Sequence, residues 1–362
     1  MKSPIPIRIL DGGLGTTLED KHHVRFSSES TPLWSSHLLL TDQKTLLACQ
    51  TDFACAGADV LLTATYQFSI EGFAATRTPE WPRGVSLPNI GQFLEDAVLI
   101  ARAAGAREVA FSLGPYGATM LPASTEYSGK YDDAHVGVDA LYWWHLERLR
   151  VVFKHREGTR GINYFAFETV PRLDEIQAIR RVLFGGAGKP YWISCVFPGG
   201  PDDDRLPDGS TIEDVAAAML SNEVRGPVPW GIGINCTKVG KLAGLVRKFE
   251  RAVQNLIDLC QLSGWPSLVL YPDGTNGEVY NTTTQKWELP EGTKAPETRW
   301  EVELARVVEE IGKRGKWASL LIGGCCKTTA EDITRLRDLV IGDEGLLRGA
   351  GKEDEAGANF PA

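Results

Sequence analysis

The sequence predicts an α/β protein, a (β/α)8 barrel of the TIM type with extended loops at its C-terminal mouth. Three observations lead there. Short apolar runs alternate with longer helix-like stretches, and eight such runs can be picked out. Several runs are continuous rather than alternating, as parallel strands buried on both faces require. The turn after the first run, Gly12-Gly13-Leu14-Gly15, fits neither the Gly-x-Gly-x-x-Gly turn of an open doubly wound sheet nor a phosphate loop ending in Gly-Lys-Ser/Thr.

The eight predicted strands are Ile7–Asp11, Ala58–Thr65, Glu108–Leu113, Tyr164–Glu168, Tyr191–Phe197, Trp230–Asn235, Ser267–Tyr271 and Ala318–Ile322. Helical patterns fall between them, at Asp42–Ala56, Leu94–Ala104, Leu173–Leu183, Ile212–Leu220, Leu242–Leu262 and Trp300–Arg314. Alternating units of this kind build a parallel sheet. A minimal barrel needs roughly 250 residues, so the surplus falls in loops. Tyr116–Val138, Pro198–Ser210 and Asp273–Pro296 follow the third, fifth and seventh strands, and the last has room for a small hairpin. All three belong at the mouth, where barrel enzymes build their sites. No linker divides residues 1–340, which read as one domain. Residues 341–362 read as a flexible tail, poor in apolar side chains.

Composition narrows the function. Hydrophobic residues make up 43% and charged ones 23%, ordinary for a globular domain. The net charge of −9, without basic runs, argues against a nucleic-acid partner. No segment approaches the roughly 18 apolar residues that span a bilayer. Met1–Leu10 is broken by Pro4 and Pro6 and lacks a secretory apolar stretch. The expected compartment is the cytosol, where thiols stay reduced. The seven cysteines are then candidates for metal binding, catalysis or plain burial rather than for disulfides.

Three of them lie at strand ends on one rim. Cys236 closes the run Gly231-Ile232-Gly233-Ile234-Asn235, and Cys325-Cys326 follow Gly323-Gly324 at the end of the eighth strand. Taken singly, Cys236 reads as a small core residue, and the pair as one buried and one surface thiol. Adjacent residues of a regular strand face opposite ways, so two neighbouring cysteines share a metal only where the chain bends. Gly-Gly, tolerant of positive φ, is expected to supply that bend. Three thiolates with a fourth position open is a catalytic zinc arrangement. Cys49, Cys55, Cys195 and Cys260 are expected to pack, and the six histidines form no ligand pattern.

Gly233-Ile234-Asn235-Cys236 and Gly323-Gly324-Cys325-Cys326-Lys327-Thr328-Thr329 resemble the two zinc motifs of the homocysteine S-methyltransferase family. The similarity extends to Leu10-Asp11-Gly12-Gly13, Gly114-Pro115-Tyr116-Gly117-Ala118, Glu168-Thr169, Tyr271-Pro272-Asp273-Gly274, Glu278-Val279-Tyr280 and Lys286-Trp287. It spans roughly residues 8–335 in order. The resemblance implies a Zn2+-dependent barrel that methylates homocysteine to methionine. It is nearest the branch using S-methylmethionine or S-adenosylmethionine, and further from the betaine-using branch.

It also implies roles. Cys236, Cys325 and Cys326 would hold the metal, and Asp11 and Glu168 would meet the substrate ammonium. Gly12, Gly13 and Thr169 are the other expected substrate contacts, with backbone N–H groups around Gly12–Gly15 facing the carboxylate. The rival readings are a turn-forming Asp11 and a Glu168 near the N-terminus of the next helix. A cationic donor suits aromatic faces. Trp34, Tyr66, Tyr116 and Tyr127 are the candidates by position, with Glu126 adding charge, and wall or core packing is the alternative for each ring. The stretch Lys21–Ser30, with His22-His23, and the acidic Asp202-Asp203-Asp204 depart from the family pattern and bear on the donor. Two further functions stay open here: the same thiolate chemistry with betaine or another thiol, and a zinc-binding barrel without turnover.

Overall fold

The computed structural model describes residues 5–27, 30–121, 123–154, 160–183, 188–200, 202–275, 277–281, 286–289 and 298–342. The predicted tail from 343 onward lies outside them. The strands are β1 (Ile7–Ile9), β2 (Val60–Leu62), β3 (Glu108–Leu113), β4 (Tyr164–Val170), β5 (Tyr191–Cys195), β6 (Gly231–Lys238), β7 (Ser267–Asp273), β8 (Val279–Asn281), β9 (Lys286–Glu288) and β10 (Leu320–Ile322). All but β8 and β9 form one parallel sheet in the order β1-β10-β7-β6-β5-β4-β3-β2. A parallel bridge between Leu10 and Val60 joins its two ends. The architecture is the TIM-type barrel that the alternating runs predict. β8 and β9 pair antiparallel as the hairpin in the loop after β7.

The helices are α1 (Leu14–Asp20), α2 (Leu38–Thr41), α3 (Gln43–Cys55), α4 (Ile70–Ala75), α5 (Leu87–Ala103), α6 (Val138–Lys154), α7 (Leu173–Val182), α8 (Ile212–Leu220), α9 (Leu242–Asp258), α10 (Trp300–Arg314) and α11 (Ala330–Val340). Asp42 caps α3 by accepting from the Thr45 N–H, and Thr211 and Thr329 form capping boxes with Asp214 and Asp332. The helix predicted from Leu94 starts at Leu87, because Pro88 sits in the first turn, where no N–H is needed. The one predicted to reach Leu262 stops at Asp258, and Cys260 follows at φ 58°. Helix α6 has no predicted counterpart. His145 and Arg148 lie on its buried face beside Leu141 and Trp144, which masks the apolar stripe. Among the described residues no helix is long and apolar enough to cross a membrane.

Two cores result. One lies between sheet and helices. The other fills the barrel with Leu10, Val60, Ala110, Ala166, Trp192, Val269, Tyr271 and Leu321. Trp192 is paired in register with Gly231, and Ser194 with Gly233, so the bulky indole is accommodated by a strand with little side chain. At the N-terminal end, Arg8 lies 5.3 Å from the Tyr164 ring centroid and 5.2 Å from that of Trp230, and pairs with Glu108. The opposite end is left for chemistry.

A methyl group at Gly233 would lie 2.3 Å from Ser194 Oγ and 2.7 Å from the Val269 carbonyl. Gly233→Ala should therefore lower stability by roughly 1–3 kcal/mol, the usual range for overpacking. An unchanged urea midpoint would show that the interior has slack at this layer.

Candidate metal centre and substrate pocket

The alternation of β4 puts Tyr164 and Ala166 inside the barrel and Phe165 and Phe167 outside. Glu168 follows on the inside, and Thr169 would face out. It does not, because Phe167 pairs with Ile193 and Val170 with Cys195, so β4 carries one extra residue there. The same happens in β6, where Asn235 pairs with Tyr271 and Lys238 with Asp273. Bulges of this kind re-aim side chains beside active sites. Thr169 and Cys236 take left-handed backbone, at φ 59° and 47°, without being glycine. Such conformations persist only where the surroundings impose them.

The turn after β10 is built differently from the expectation. Neither Gly323 nor Gly324 has positive φ; the left-handed residue of this turn is Lys327, at 63°. The glycines are needed for space. A Cβ on Gly323 would stand 2.6 Å from the carbonyls of Leu10 and Asp11, and one on Gly13 would stand 2.4 Å from that of Cys325. The turn is tied down by Gly324 N–H to Asp11 O (2.9 Å), Cys325 N–H to Pro272 O (2.9 Å) and Gly274 N–H to Cys326 O (2.8 Å).

These turns bring the sulfurs of Cys236, Cys325 and Cys326 within 4.8 Å of one another. Cys236 is buried and the other two half-buried. The thiols share their protons. The hydrogen bond with Cys325 pulls Cys236 down, but the hydrogen bond with Cys326 and burial outweigh it and leave Cys236 pushed up to about 12. Hydrogen bonds from Cys236 and Cys325 pull Cys326 well below an ordinary thiol. Three sulfurs this close cannot all ionise unless a cation joins them. Convergent soft donors on rigid strand ends fit a thiophilic metal such as zinc.

Two buried carboxyls face the same mouth. Asp11 Oδ2 accepts from the Leu62 N–H at 2.8 Å, and Oδ1 has no partner among the described residues. This is a strand-pinning contact, not an Asx turn. Glu168 accepts from the Ser112 and Tyr271 hydroxyls. It lies inside β4, four positions before the α7 cap at Arg172, so it caps no helix. Burial above all raises both groups, Glu168 to about 8. Gly13 N–H is committed to Thr328, at 3.0 Å from both its carbonyl and its hydroxyl oxygen. A Cβ on Gly12 would meet the Phe53 ring at 2.7 Å.

The predicted donor residues divide. Tyr127 keeps 43% of its surface exposed, yet its hydroxyl hydrogen-bonds to Cys236 and Cys326. Glu126 is buried with Oε2 unpartnered among the described residues, and burial first, with Cys236 behind it, pushes it up to about 7. The Tyr66 hydroxyl bonds Thr169, and its ring meets Trp34 edge-on at 6.4 Å. Tyr116 is not part of this group. Its hydroxyl donates to Asp132 and its ring stacks on His135 at 4.0 Å. Of the four cysteines expected to pack, Cys49 and Cys195 are buried, whereas Cys55 and Cys260 are exposed. The acidic stretch pairs with α9 through Asp204 and Lys248. Three contributors carry no signal by residue type: Ser112, Tyr271 and Asn235. The last two sit inside the quoted motifs, which was the available clue.

A barrel with three thiols and two buried carboxyls at its C-terminal mouth defines a thiol-ligating metal-site enzyme scaffold. The sequence model of the homocysteine S-methyltransferase family matches residues 8–340. The chain belongs to that family and is a methyltransferase. Homocysteine S-methyltransferase YbgG of Bacillus subtilis is 30% identical over 347 residues, 91% of this chain and 93% of that one. Homocysteine S-methyltransferase 1 of Arabidopsis thaliana is 29% identical, with coverage of 91% and 93%. The metallated form of the homocysteine methyltransferase MmuM from Escherichia coli superposes with a TM-score of 0.63 at 27% identity, covering 91% of this chain and 95% of that one.

The raised Glu168 gives a stability prediction. Because the folded chain holds this proton more tightly than the unfolded chain, its contribution is lost as pH rises from about 4.5 towards about 8. In metal-free protein, Glu168→Gln should gain melting temperature relative to the parent across that window. Parallel pH profiles would mean that the carboxyl is already ionised at low pH.

Proposed function

We propose that this chain moves a methyl group from a sulfonium donor, S-methylmethionine or S-adenosylmethionine, to the sulfur of homocysteine, with zinc held by Cys236, Cys325 and Cys326. The observation that carries the reading is the three-thiol cluster beside the buried carboxyls Asp11 and Glu168 in one mouth. Bound there, zinc would keep a thiol deprotonated at neutral pH, where a free thiol of pKa about 8.5 is mostly protonated.

The protein's own residues do the rest. Glu168 and Asp11 accept the substrate ammonium, and that positive charge favours their ionised forms. Ser112 and Tyr271 fix the Glu168 carboxyl, so the amine end is held at a set place. On the donor side, Trp34, Tyr66 and Tyr127 offer aromatic faces to a sulfonium, and Glu126 offers a counter-charge. A new sulfur–carbon bond forms to homocysteine as the donor's sulfur–methyl bond breaks. The electron pair of the broken bond stays on the donor's sulfur, which leaves as a neutral thioether. The acceptor's thiol proton has already gone to solvent. No redox partner is required. The reading suits a compartment that keeps thiols reduced, such as the cytosol.

A donor panel tests this. Metal-loaded protein with homocysteine should yield methionine from S-methylmethionine or S-adenosylmethionine and none from betaine. Turnover with betaine alone would move the enzyme to another branch, and none with any donor at full metal content would sink the reading. Cys326→Ser addresses the metal separately. Zinc should fall from about one per chain, and turnover with it, because a hydroxyl is a poor substitute for a thiolate. Metal loss with an unchanged rate would overturn the thiolate chemistry.

A further inference from the structure

The bulges in β4 and β6 are joined by one side chain. Asn235 is buried. Its Oδ1 accepts from the Thr169 N–H at 2.8 Å. Its Nδ2 donates to Thr169 Oγ1 at 2.7 Å and lies 3.4 Å from Cys236 Sγ. The orientation of the amide is set by chemistry, since a backbone N–H can only donate and must meet the oxygen. Both amide hydrogens and the carbonyl oxygen are thereby used.

The placement matters more than the number of bonds. Thr169 follows Glu168, and Cys236 follows Asn235 itself. A bulge pulls its extra amide out of the ladder, and a buried orphan N–H needs a partner. Asn235 supplies it for β4 across the top of β5, which ends at Cys195. It does so between the two left-handed residues of these strands, Thr169 and Cys236. Release either and its backbone has a lower-energy conformation available. The side chain therefore ties the sulfur ligand of one strand to the carboxyl of another.

We propose that Asn235 is a positioning and specificity-determining residue: it fixes the spacing between Cys236 and Glu168 and so matches the pocket to the separation of thiol and ammonium in homocysteine. The inference rests on the function proposed above. Homocysteine and cysteine carry the same end groups and differ by one methylene between them. A rigid spacing discriminates the two, whereas a loose one accepts either. Polar partners behind a metal ligand commonly affect a site by roughly 10–100-fold.

The test uses cobalt-loaded full-length protein, in which thiol binding is read from the sulfur-to-cobalt charge-transfer absorption without any donor. Homocysteine and cysteine are titrated into the parent, Asn235→Ala and Asn235→Asp. The Asp variant keeps the acceptor for Thr169 N–H and loses the amide donor to Cys236, so it serves where Ala fails to fold. The parent should prefer homocysteine. In the Ala variant, or in Asp where Ala is lost, that preference should drop by roughly tenfold at unchanged metal content, and the charge-transfer band should shift. Equal weakening of both thiols with the preference intact would reduce Asn235 to a structural residue and overturn the proposal. A parent that shows no preference would instead sink the assignment of homocysteine, which keeps the two failures apart.

Discussion

Three thiols within 4.8 Å of one another are an electrostatic problem that the whole C-terminal rim is arranged around. Without a cation they hold protons between them, which is why Cys236 is raised while Cys326 is lowered. A divalent metal removes the conflict and converts mutual repulsion into ligation. The barrel makes such crowding tolerable because each sulfur hangs from a strand end fixed by a parallel ladder on both sides. Bringing them together needs departures from regular strand geometry, namely the bulge that contains Cys236 and the tight turn after β10. Those departures persist because Asn235, Thr328 and the carbonyl of Pro272 satisfy the groups that they expose.

Three buried acids stand close to the cluster without a basic side chain as hydrogen-bond partner among the described residues. Asp11, Glu168 and Glu126 are all buried near the sulfurs, and burial raises each of them. Burial shifts all three towards their protonated forms. The ammonium or sulfonium of the proposed substrates would favour ionised carboxyls there and supply the attraction that goes with them. In the proposed function, the buried acids would thereby favour cationic partners. A donor that leaves as a neutral thioether removes one of these charges on reaction, which helps the product depart.

Much of this was legible in the sequence, because a parallel barrel writes itself as continuous apolar runs and puts chemistry at their ends. Cys236, Cys325, Cys326, Asp11 and Glu168 stood at such ends and lie at one mouth in the fold. Gly323-Gly324 reads ambiguously in the sequence because glycine has two uses. Sequence cannot separate positive φ from close backbone approach, and here it is the carbonyls of Leu10 and Asp11 that leave no room for a Cβ. Tyr116 was misleading for another reason. It lies beside the mouth, but a neighbouring hydroxyl acceptor, Asp132, and a stacking partner, His135, come from its own loop. Helix α6 was hidden because its buried face carries His145 and Arg148, whose partners are distant in sequence.

Those partners expose how the two halves of the pocket are coupled. Glu175, at the start of α7, accepts from the Tyr116 N–H at 2.8 Å, from His145 Nε2 at 3.0 Å and from the Tyr131 hydroxyl. Burial above all lowers the His145 pKa; its Nε2 meets Glu175 while Nδ1 faces Arg148. Asp174 takes the Gly137 N–H, and Arg172 donates to the Gly129 carbonyl. The segment bearing Glu126 and Tyr127 is therefore anchored at both ends by residues 172–175. The strand leading into them carries Glu168 and Thr169. One βα unit, Tyr164–Val182, thus holds Glu168, the proposed amine-binding carboxyl, buttresses Cys236 through Thr169, and fixes the loop that carries the proposed donor contacts Glu126 and Tyr127. A shift of this unit would move the acceptor and donor sides together rather than apart. That is the property an in-line transfer between two bound substrates requires, since its rate depends on their mutual alignment more than on either position alone.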